Sequence, residues 1–339
     1  MLERTWGVVL LVGLVIGVSL LLASELSALD ARARIRAGEL EAIAGAASRA
    51  AASLNQSIET ITGQILSATE TPVSGRRTPL LVALAAADQS ATLALLTYLD
   101  RIMSPSEQLQ RLILLDRDGR IVIAEPPLTR PRLDYAHSDL FTSVSDASPA
   151  YVSGVYNTEP APGGMGGSTN DAPVIGVSGL VQERGSRLGV LVAEVNLRLL
   201  GLEMTPVLGA ADDLYLIDNK GGLLLRATHA FVGDSAEGRD LRGTAAGDAA
   251  LAGVTRLESV DPVVGGPRLV GTARVGASGL RVIAVRAPTA MGAELDASLT
   301  VNRAARVALV VVLILGIALL APRAARAFRQ HRSIDPGVR

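Results

Sequence analysis

Side chains able to do covalent or metal chemistry are few in this chain. It has no cysteine, three histidines, and 32 Lys+Arg set against 33 Asp+Glu. Without cysteine there is no thiolate nucleophile, disulfide, Cys-ligated zinc or iron–sulfur cluster. His137, His229 and His331 stand far apart, which leaves little for a histidine metal centre. Asp116 and Asp218 occupy matching places in two similar segments and invite reading as a catalytic pair. An Asp ahead of a glycine turn is more often an acceptor for turn amides. Tyr215, Arg226, His229, Arg239 and Arg274 could together form an anion site, although arginine is the ordinary surface cation of a chain whose only lysine is Lys220. The segment GGMGGS at 163–168 follows Pro160 and Pro162 and opens no helix, so it is a loop rather than a phosphate cradle. Neither GVSG at 176–179 nor GASG at 276–279 completes a nucleophile elbow, and no HExxH or P-loop lysine occurs. No enzyme and no cofactor are expected. A net charge of −1 gives no basic face for nucleic acid.

The elements that carry these residues begin and end with apolar runs. With 339 residues there is room for two or three modules. Only 19% of the residues are charged, below the roughly 25% of soluble domains, so membrane segments come first. Residues 6–24, WGVVLLVGLVIGVSLLLAS, contain no charge. As a helix this run would be about 28 Å long, close to the roughly 30 Å hydrocarbon core of a bilayer. It exceeds the usual 7–15-residue core of a signal peptide, which favours an uncleaved signal anchor over a cleaved leader. The run 307–321 is shorter, and Ala304 and Ala305 extend it if Arg306 snorkels to the interface. Behind it Arg323, Arg326, Arg329, Arg332 and Arg339 face a single acid, Asp335, which makes the tail cytoplasmic. A two-pass protein of the cell (inner) membrane follows, with residues 25–305 outside the cytoplasm. The tail at 322–339 has no room for a folded output domain, so signalling would need a separate partner.

Between the runs, residues 25–67 are rich in alanine and free of proline. Leu40, Ile43, Ala47, Ala50, Leu54, Ile58, Ile61 and Ile65 recur at steps of three and four, the seam of a long helix. That seam either packs on its own domain or forms a homodimer stalk, and the two are compatible. A second, shorter helix is expected over 79–103. An internal repeat follows: LILLDRDGRIV at 112–122 and, 102 residues later, LYLIDNKGGLL at 214–224. Each is a strand, a turn with glycine and a second strand, which is a hairpin signal. The first is followed by a short helix near 137–145 and strands at 150–157, 174–182 and 188–196. The second is followed by strands near 254–259, 268–275 and 280–287. Each module therefore reads as an antiparallel sheet with helices on one side, a two-layer α+β design.

In this order, LDYAHSDLF at 133–141 is similar to the helix segment before the pocket strand of a double Cache (dCache, tandem PAS-like) extracytoplasmic sensor. YVSGVY at 151–156 resembles the pocket strand. APVIGVSGLV at 172–181 and LGVLVAEVNL at 188–197 resemble the paired central strands. RLVGTARVGASGLRVIAVRAP at 268–288 resembles the strands that close the second module. The resemblance implies a long N-terminal stalk helix and two PAS-like antiparallel-sheet modules flanked by two transmembrane helices. The expected divisions are span 1–24, stalk and packing helices 25–103, distal module 104–200, proximal module 201–303, span 304–321 and tail 322–339.

The resemblance also implies a ligand in the distal module. In amino-acid-binding relatives an Arg and an aromatic of the helix segment hold the carboxylate, while a Tyr and an Asp hold the amine. Here the Arg position falls on Ser138 and the aromatic on Leu140, with Phe141 at the next aromatic place. The Tyr corresponds to Tyr151 or Tyr156 and the Asp to Glu194. Tyr135 and Tyr156 could frame a small ligand. Glu194 either holds a cationic group or is a strand-end carboxylate facing solvent. His137 reads as a helix-surface residue. The expectation is a small-ligand sensor of unknown ligand class, homodimeric through its stalk, that signals through a partner. The alternative is a ligand-independent docking or assembly module.

Overall fold

The computed structural model describes residues 2–70, 78–85, 89–128, 133–158, 172–229, 232–233 and 239–288. They fall into two units: residues 40–287, and residues 2–39 together with Pro288. The run 307–321, the tail and the loop 163–168 lie outside the described residues. The first apolar run belongs to helix α1 (Leu2–Thr69). Among the residues whose side chains are described, no helix is long and apolar enough to cross a membrane.

Inside the unit 40–287, the three-and-four spacing of α1 becomes a buried seam. Ile43, Ala47, Ala50, Leu54, Ile58, Ile61 and Ile65 are all buried, while Leu40 at the edge is partly so. Where one helix is expected over 79–103, two are present: α2 (Pro79–Ala85) and α3 (Gln89–Met103).

The first sheet consists of β1 (Leu109–Asp116), β2 (Ile121–Glu125), β3 (Ala150–Thr158), β4 (Ala172–Glu183) and β5 (Ser186–Asn196), in the antiparallel order β2-β1-β5-β4-β3. A 3₁₀ turn (Tyr135–His137) and the short α4 (Asp139–Thr142) stand between β2 and β3. The side chain of Asn196 caps α5 (Leu197–Gly201) by accepting from the Arg198 and Leu199 amides, and a 3₁₀ segment (Leu202–Val207) completes the connection. The second sheet holds β6 (Asp213–Ile217), β7 (Leu223–Thr228), β8 (Val232–Gly233), β9 (Arg256–Val260), β10 (Pro267–Arg274) and β11 (Arg281–Arg286). Its order is β8-β7-β6-β11-β10-β9, and α6 (Ala245–Ala252) precedes β9.

Alternation along the strands divides each sheet into two faces. Leu112, Leu114, Leu191 and Ala193 of the first sheet and Leu214, Leu216, Val282 and Ala284 of the second join the α1 seam in one continuous core. Ile113, Leu115, Val190 and Val192 point the other way into a smaller core under α4. Tyr215, Ile217, Ile283 and Val285 do the same in the second sheet. The repeated Asp116 and Asp218 are turn residues. Each Oδ1 accepts two amides of its own hairpin, those of Asp118 and Arg120 and those of Lys220 and Gly222.

Glycine sets how closely α1 lies on β10. A Cβ on Gly271 would stand 2.4 Å from the Ile43 carbonyl oxygen and 2.7 Å from Ala44 Cα, both backbone atoms that cannot rotate away. An ion pair between Arg256 and Glu41 ties β9 to the same stretch of helix. Gly271→Ala is expected to lower stability by about 1–3 kcal/mol through overpacking. Gly63→Ala, in α1 where nothing lies within 4 Å of the added methyl, is expected to raise it by about 0.5–1 kcal/mol. Urea midpoints of the two variants check both signs.

Candidate functional site

The chemistry of the first module gathers on the sheet face away from α1. Arg111 has the parity of Ile113 and Leu115, and Glu194 that of Val190 and Val192, so both point to this outer face. They are register partners across β1 and β5. Both side chains are 0% exposed, and Arg111 Nη1 lies 3.0 Å from Glu194 Oε2. Arg111 Nε donates to the Pro126 carbonyl at 2.9 Å.

Three hydroxyls complete the carboxylate's surroundings. Tyr135 donates to Glu194 Oε1 at 3.0 Å and Tyr156 to the same oxygen at 3.3 Å. Thr158 Oγ1 lies 3.1 Å from each carboxylate oxygen and accepts from Arg111 Nη1 at 3.3 Å, so it relays between the two charges. Burial, reinforced by the Glu194 charge, pushes the Tyr135 and Tyr156 hydroxyls far above the ordinary phenol range.

Tyr156 reaches the cluster because β3 is bulged. Its register against β4 shifts between Val152 and Val155, at Ser153 and Gly154. Tyr151 and Tyr156, five residues apart, would point to opposite faces of a regular strand, yet both pack in the outer core. The Ser153 hydroxyl accepts the Gly176 amide at 2.8 Å beside the bulge. Gly176 is the register partner of Glu194 on β4, and a Cβ there would meet Leu140 Cδ2 at 2.5 Å. Leu140 of α4 is therefore seated directly on the sheet beside the ion pair.

The other residues expected at the site hold α4 and its surroundings. Ser138 Oγ donates to the Tyr135 carbonyl at 2.8 Å. The Phe141 ring carries the Arg187 guanidinium at 4.1 Å, and Arg187 donates to the carbonyls of Phe141 and Val144. Burial lowers the pKa of that guanidinium. Tyr151 packs at the rim of the outer core. His137 is an exposed residue paired with Asp134, whose carboxyl this hydrogen bond holds below its usual range.

Glu194 is thus buried and paired, not a solvent-facing strand end. The guanidinium beside Glu194 is that of Arg111 on β1, and no charge stands at Ser138. Arg111 and Glu194 lie inside the buried stretches of LQRLILLD and SRLGVLVAEVN, whose other charges, Asp116 and Arg187, stand at the hairpin ends. That is the signal that could have found the pair, since a charge inside a buried strand needs a partner.

The arginines of the second module do not form an open anion site. Arg226 is bonded to Asp213 at 2.9 Å, and Arg239 donates to the Val263 carbonyl. His229 and Arg274 are separately exposed. Tyr215 instead donates to the buried Asp261 at 3.0 Å, and burial together with that carboxylate raises its pKa.

No protein-family model matches the sequence, and no curated protein matches it either. Solved structures do. The sensory domain of the Campylobacter jejuni chemoreceptor Tlp3, with isoleucine bound, superposes with a TM-score of 0.51 at 11% identity, covering 76% of this chain and 95% of that one. The ligand-binding domain of the Pseudomonas fluorescens chemoreceptor CtaA with L-isoleucine gives 0.49 at 14% identity, covering 78% and 98%. That of the Pseudomonas aeruginosa amino acid chemoreceptor PctB with L-Arg gives 0.47 at 13% identity, covering 70% and 89%. The fold is that of the Cache-type sensor domains, built from a long helix and two antiparallel sheets.

Two predictions follow from the cluster. Glu194→Ala leaves the Arg111 charge buried without its carboxylate and is expected to lower stability by about 3–5 kcal/mol. Arg111→Met with Glu194→Gln, which removes both charges but keeps an acceptor for the hydroxyls, is expected to lose less than half as much in the same urea titration. The second concerns alkali. All five tyrosines have raised pKa values. The folded state therefore keeps protons that the unfolded chain releases above pH ~10, so stability is full below that pH and falls above it. Each fully protected phenol contributes about 1.4 kcal/mol per pH unit to the fall. Tyr215→Phe should flatten the curve between pH 10 and 11.

Proposed function

We propose that the chain is a membrane-anchored extracytoplasmic sensor that takes a small zwitterionic ligand on the outer face of its first sheet. One observation carries this reading: a fully buried Arg111–Glu194 pair, ringed by three hydroxyls, beside the apolar outer core of the first sheet. A buried ion pair is commonly no more stabilising than apolar residues of similar volume. Retaining both charges here suits a ligand that brings its own cation to Glu194 and its own anion to Arg111. The closed state is the pair bonded to itself with Leu140 seated on Gly176. The bound state separates the two charges and lifts α4, and the ligand drives the change only by favouring that state.

Anchoring through the runs 6–24 and 307–321 would leave residues 25–305 outside the cytoplasm, with the distal module over 104–200 and the proximal one over 201–303. The described apolar side chains of the first run, Val15, Val18 and Leu22, are exposed, as a lipid-facing helix requires. Leu26 and Leu29 continue that exposed stripe and would be the contact of a homodimer, because the seam from Ile43 to Ile65 is committed to the chain's own core. A separate partner would read the shift of the stalk.

The second reading, a ligand-independent docking module, draws on the same pair: its charges satisfy one another and neither side chain is exposed. A thermal-shift screen of the purified full chain against zwitterions, amines, carboxylates, purines and sugars separates the two. A saturable rise of several degrees with a zwitterion, lost in the Arg111→Met, Glu194→Gln variant, is the expected result. No response from folded protein to any class favours docking.

A further inference from the structure

Within the second module, β10 and β11 place Arg274 directly opposite Arg281. Val275 N donates to the Leu280 carbonyl in the next pair, so the two arginines form a non-hydrogen-bonded pair, in which side chains stand closest. Like charges directly opposite one another destabilise a sheet. Arg281 is committed, donating to the Ala250 carbonyl of α6 at 2.8 Å, and burial together with the Arg274 charge lowers its pKa. Arg274 is exposed and makes no hydrogen bond or ion pair among the described residues. The sheet thus holds a free guanidinium against a like charge, with no carboxylate paired to it.

That guanidinium lines a cavity of about 390 Å³ where α1 passes the start of β9, a volume within the roughly 300–1,000 Å³ of small-molecule sites. Ser48, Ala52 and Asn55, at steps of four and three, form the wall on α1, and Thr255 and Ala273 stand across from them. No described lining residue is an Asp or Glu. Glu59, one turn beyond Asn55, lies outside the lining and accepts from Asn55 Nδ2 at 2.8 Å. The hydroxyls of Ser48 and Thr255 are unbonded among the described residues.

The backbone adds one more donor. Thr272 N donates to the Thr255 carbonyl on the β9 side of β10. By strand alternation the Arg274 amide points to the same side, past Arg256 at the start of β9, where no described carbonyl accepts it. A guanidinium, an amide and two hydroxyls therefore border one cavity, all of them able to donate, beside the methyl groups of Ala52 and Ala273.

We propose that this notch is a second binding site, for a short-chain aliphatic carboxylate. The planar fork of Arg274 matches a carboxylate through two parallel N–H bonds, the hydroxyls and the amide supply further donors, and the alkyl chain lies on the alanines. Such a ligand bridges α1 to the second sheet and offsets the repulsion between Arg274 and Arg281, independently of what occupies the first sheet's outer face.

The test is an NMR titration of the purified full chain with butyrate. Saturable binding is expected. Affinity should fall about tenfold or more in Arg274→Gln, which removes the only charge of the lining. The urea midpoint of this variant should stay the same or rise, because the change also removes the like-charge contact. Ala52→Leu, which keeps the guanidinium but fills the notch, should also lose binding. Arg242→Gln, an exposed arginine of the same module paired with Asp240 outside the notch, should bind butyrate as before. Inorganic phosphate, which lacks the alkyl chain, should bind at least tenfold more weakly. The proposal is overturned by absence of saturable binding, by unchanged affinity in Arg274→Gln or Ala52→Leu, or by equal binding of phosphate. A lowered urea midpoint in Arg274→Gln overturns it too, since Arg274 would then be a structural residue.

Discussion

One helix seam organises this molecule. From Ile43 to Ile65, the side chains of α1 at steps of three and four are buried against both sheets in a single core. Burial of an aliphatic side chain of this size is worth on the order of 1.5–3 kcal/mol. Neither sheet could keep its inner face without the seam. Glycines make the contact close: Gly271 admits the backbone at Ile43, and Gly179 leaves room for Ile65 and Thr69. Because the inner faces are committed in this way, polar chemistry is left to the outer faces of the sheets and to the sides of the helix.

The outer faces share a construction and differ in charge. In each module a buried carboxylate accepts a tyrosine hydroxyl: Glu194 from Tyr135 and Tyr156, Asp261 from Tyr215. The 102-residue offset of the repeated hairpins carries Arg111 onto Asp213, a reversal of sign at one register position. Arg111 finds its counterion on β5, whereas Asp213 finds Arg226 on β7. The two hairpins share strand geometry but not ionic partners. Asp261 is held mainly by the Val263 and Val264 amides and Tyr215, with Arg268 Nε more distant at 3.5 Å.

Two fully buried opposite charges attract strongly at short range but have lost their hydration, so their net contribution is small and their separation costly. A ligand able to hydrate both charges with its own groups would remove most of that cost. Tyr135 and Ser138 are joined through one carbonyl, which couples Tyr135 to α4, whereas Arg187 of β5 bonds two carbonyls of the α4 segment and would have to release them. Displacement of α4 would therefore carry Leu140 and Tyr135 away from Gly176 and Glu194 as a unit.

Much of the fold was legible in the sequence because it rests on local periodicity. The seam of α1, the paired hairpins with their turn aspartates, the α+β class and most strands follow from spacing and from glycine at turns. Helix breaks were less so, since 79–103 holds two helices rather than one. Tyr156 and Glu194 could be named from resemblance and Tyr135 from its ring and hydroxyl, but their meeting depends on contacts between residues far apart in the chain. Arg111 passed unnoticed because nothing local marks its partner, which stands 83 residues away on a strand made adjacent only by sheet order. The bulge in β3, which turns Tyr151 and Tyr156 to one face, leaves no periodic trace either. The sequence by itself determined which residues pair with water and which do not, through patterns a few residues long. Only the tertiary structure decided which buried charges face each other, because strand order and register are set by packing across the whole sheet.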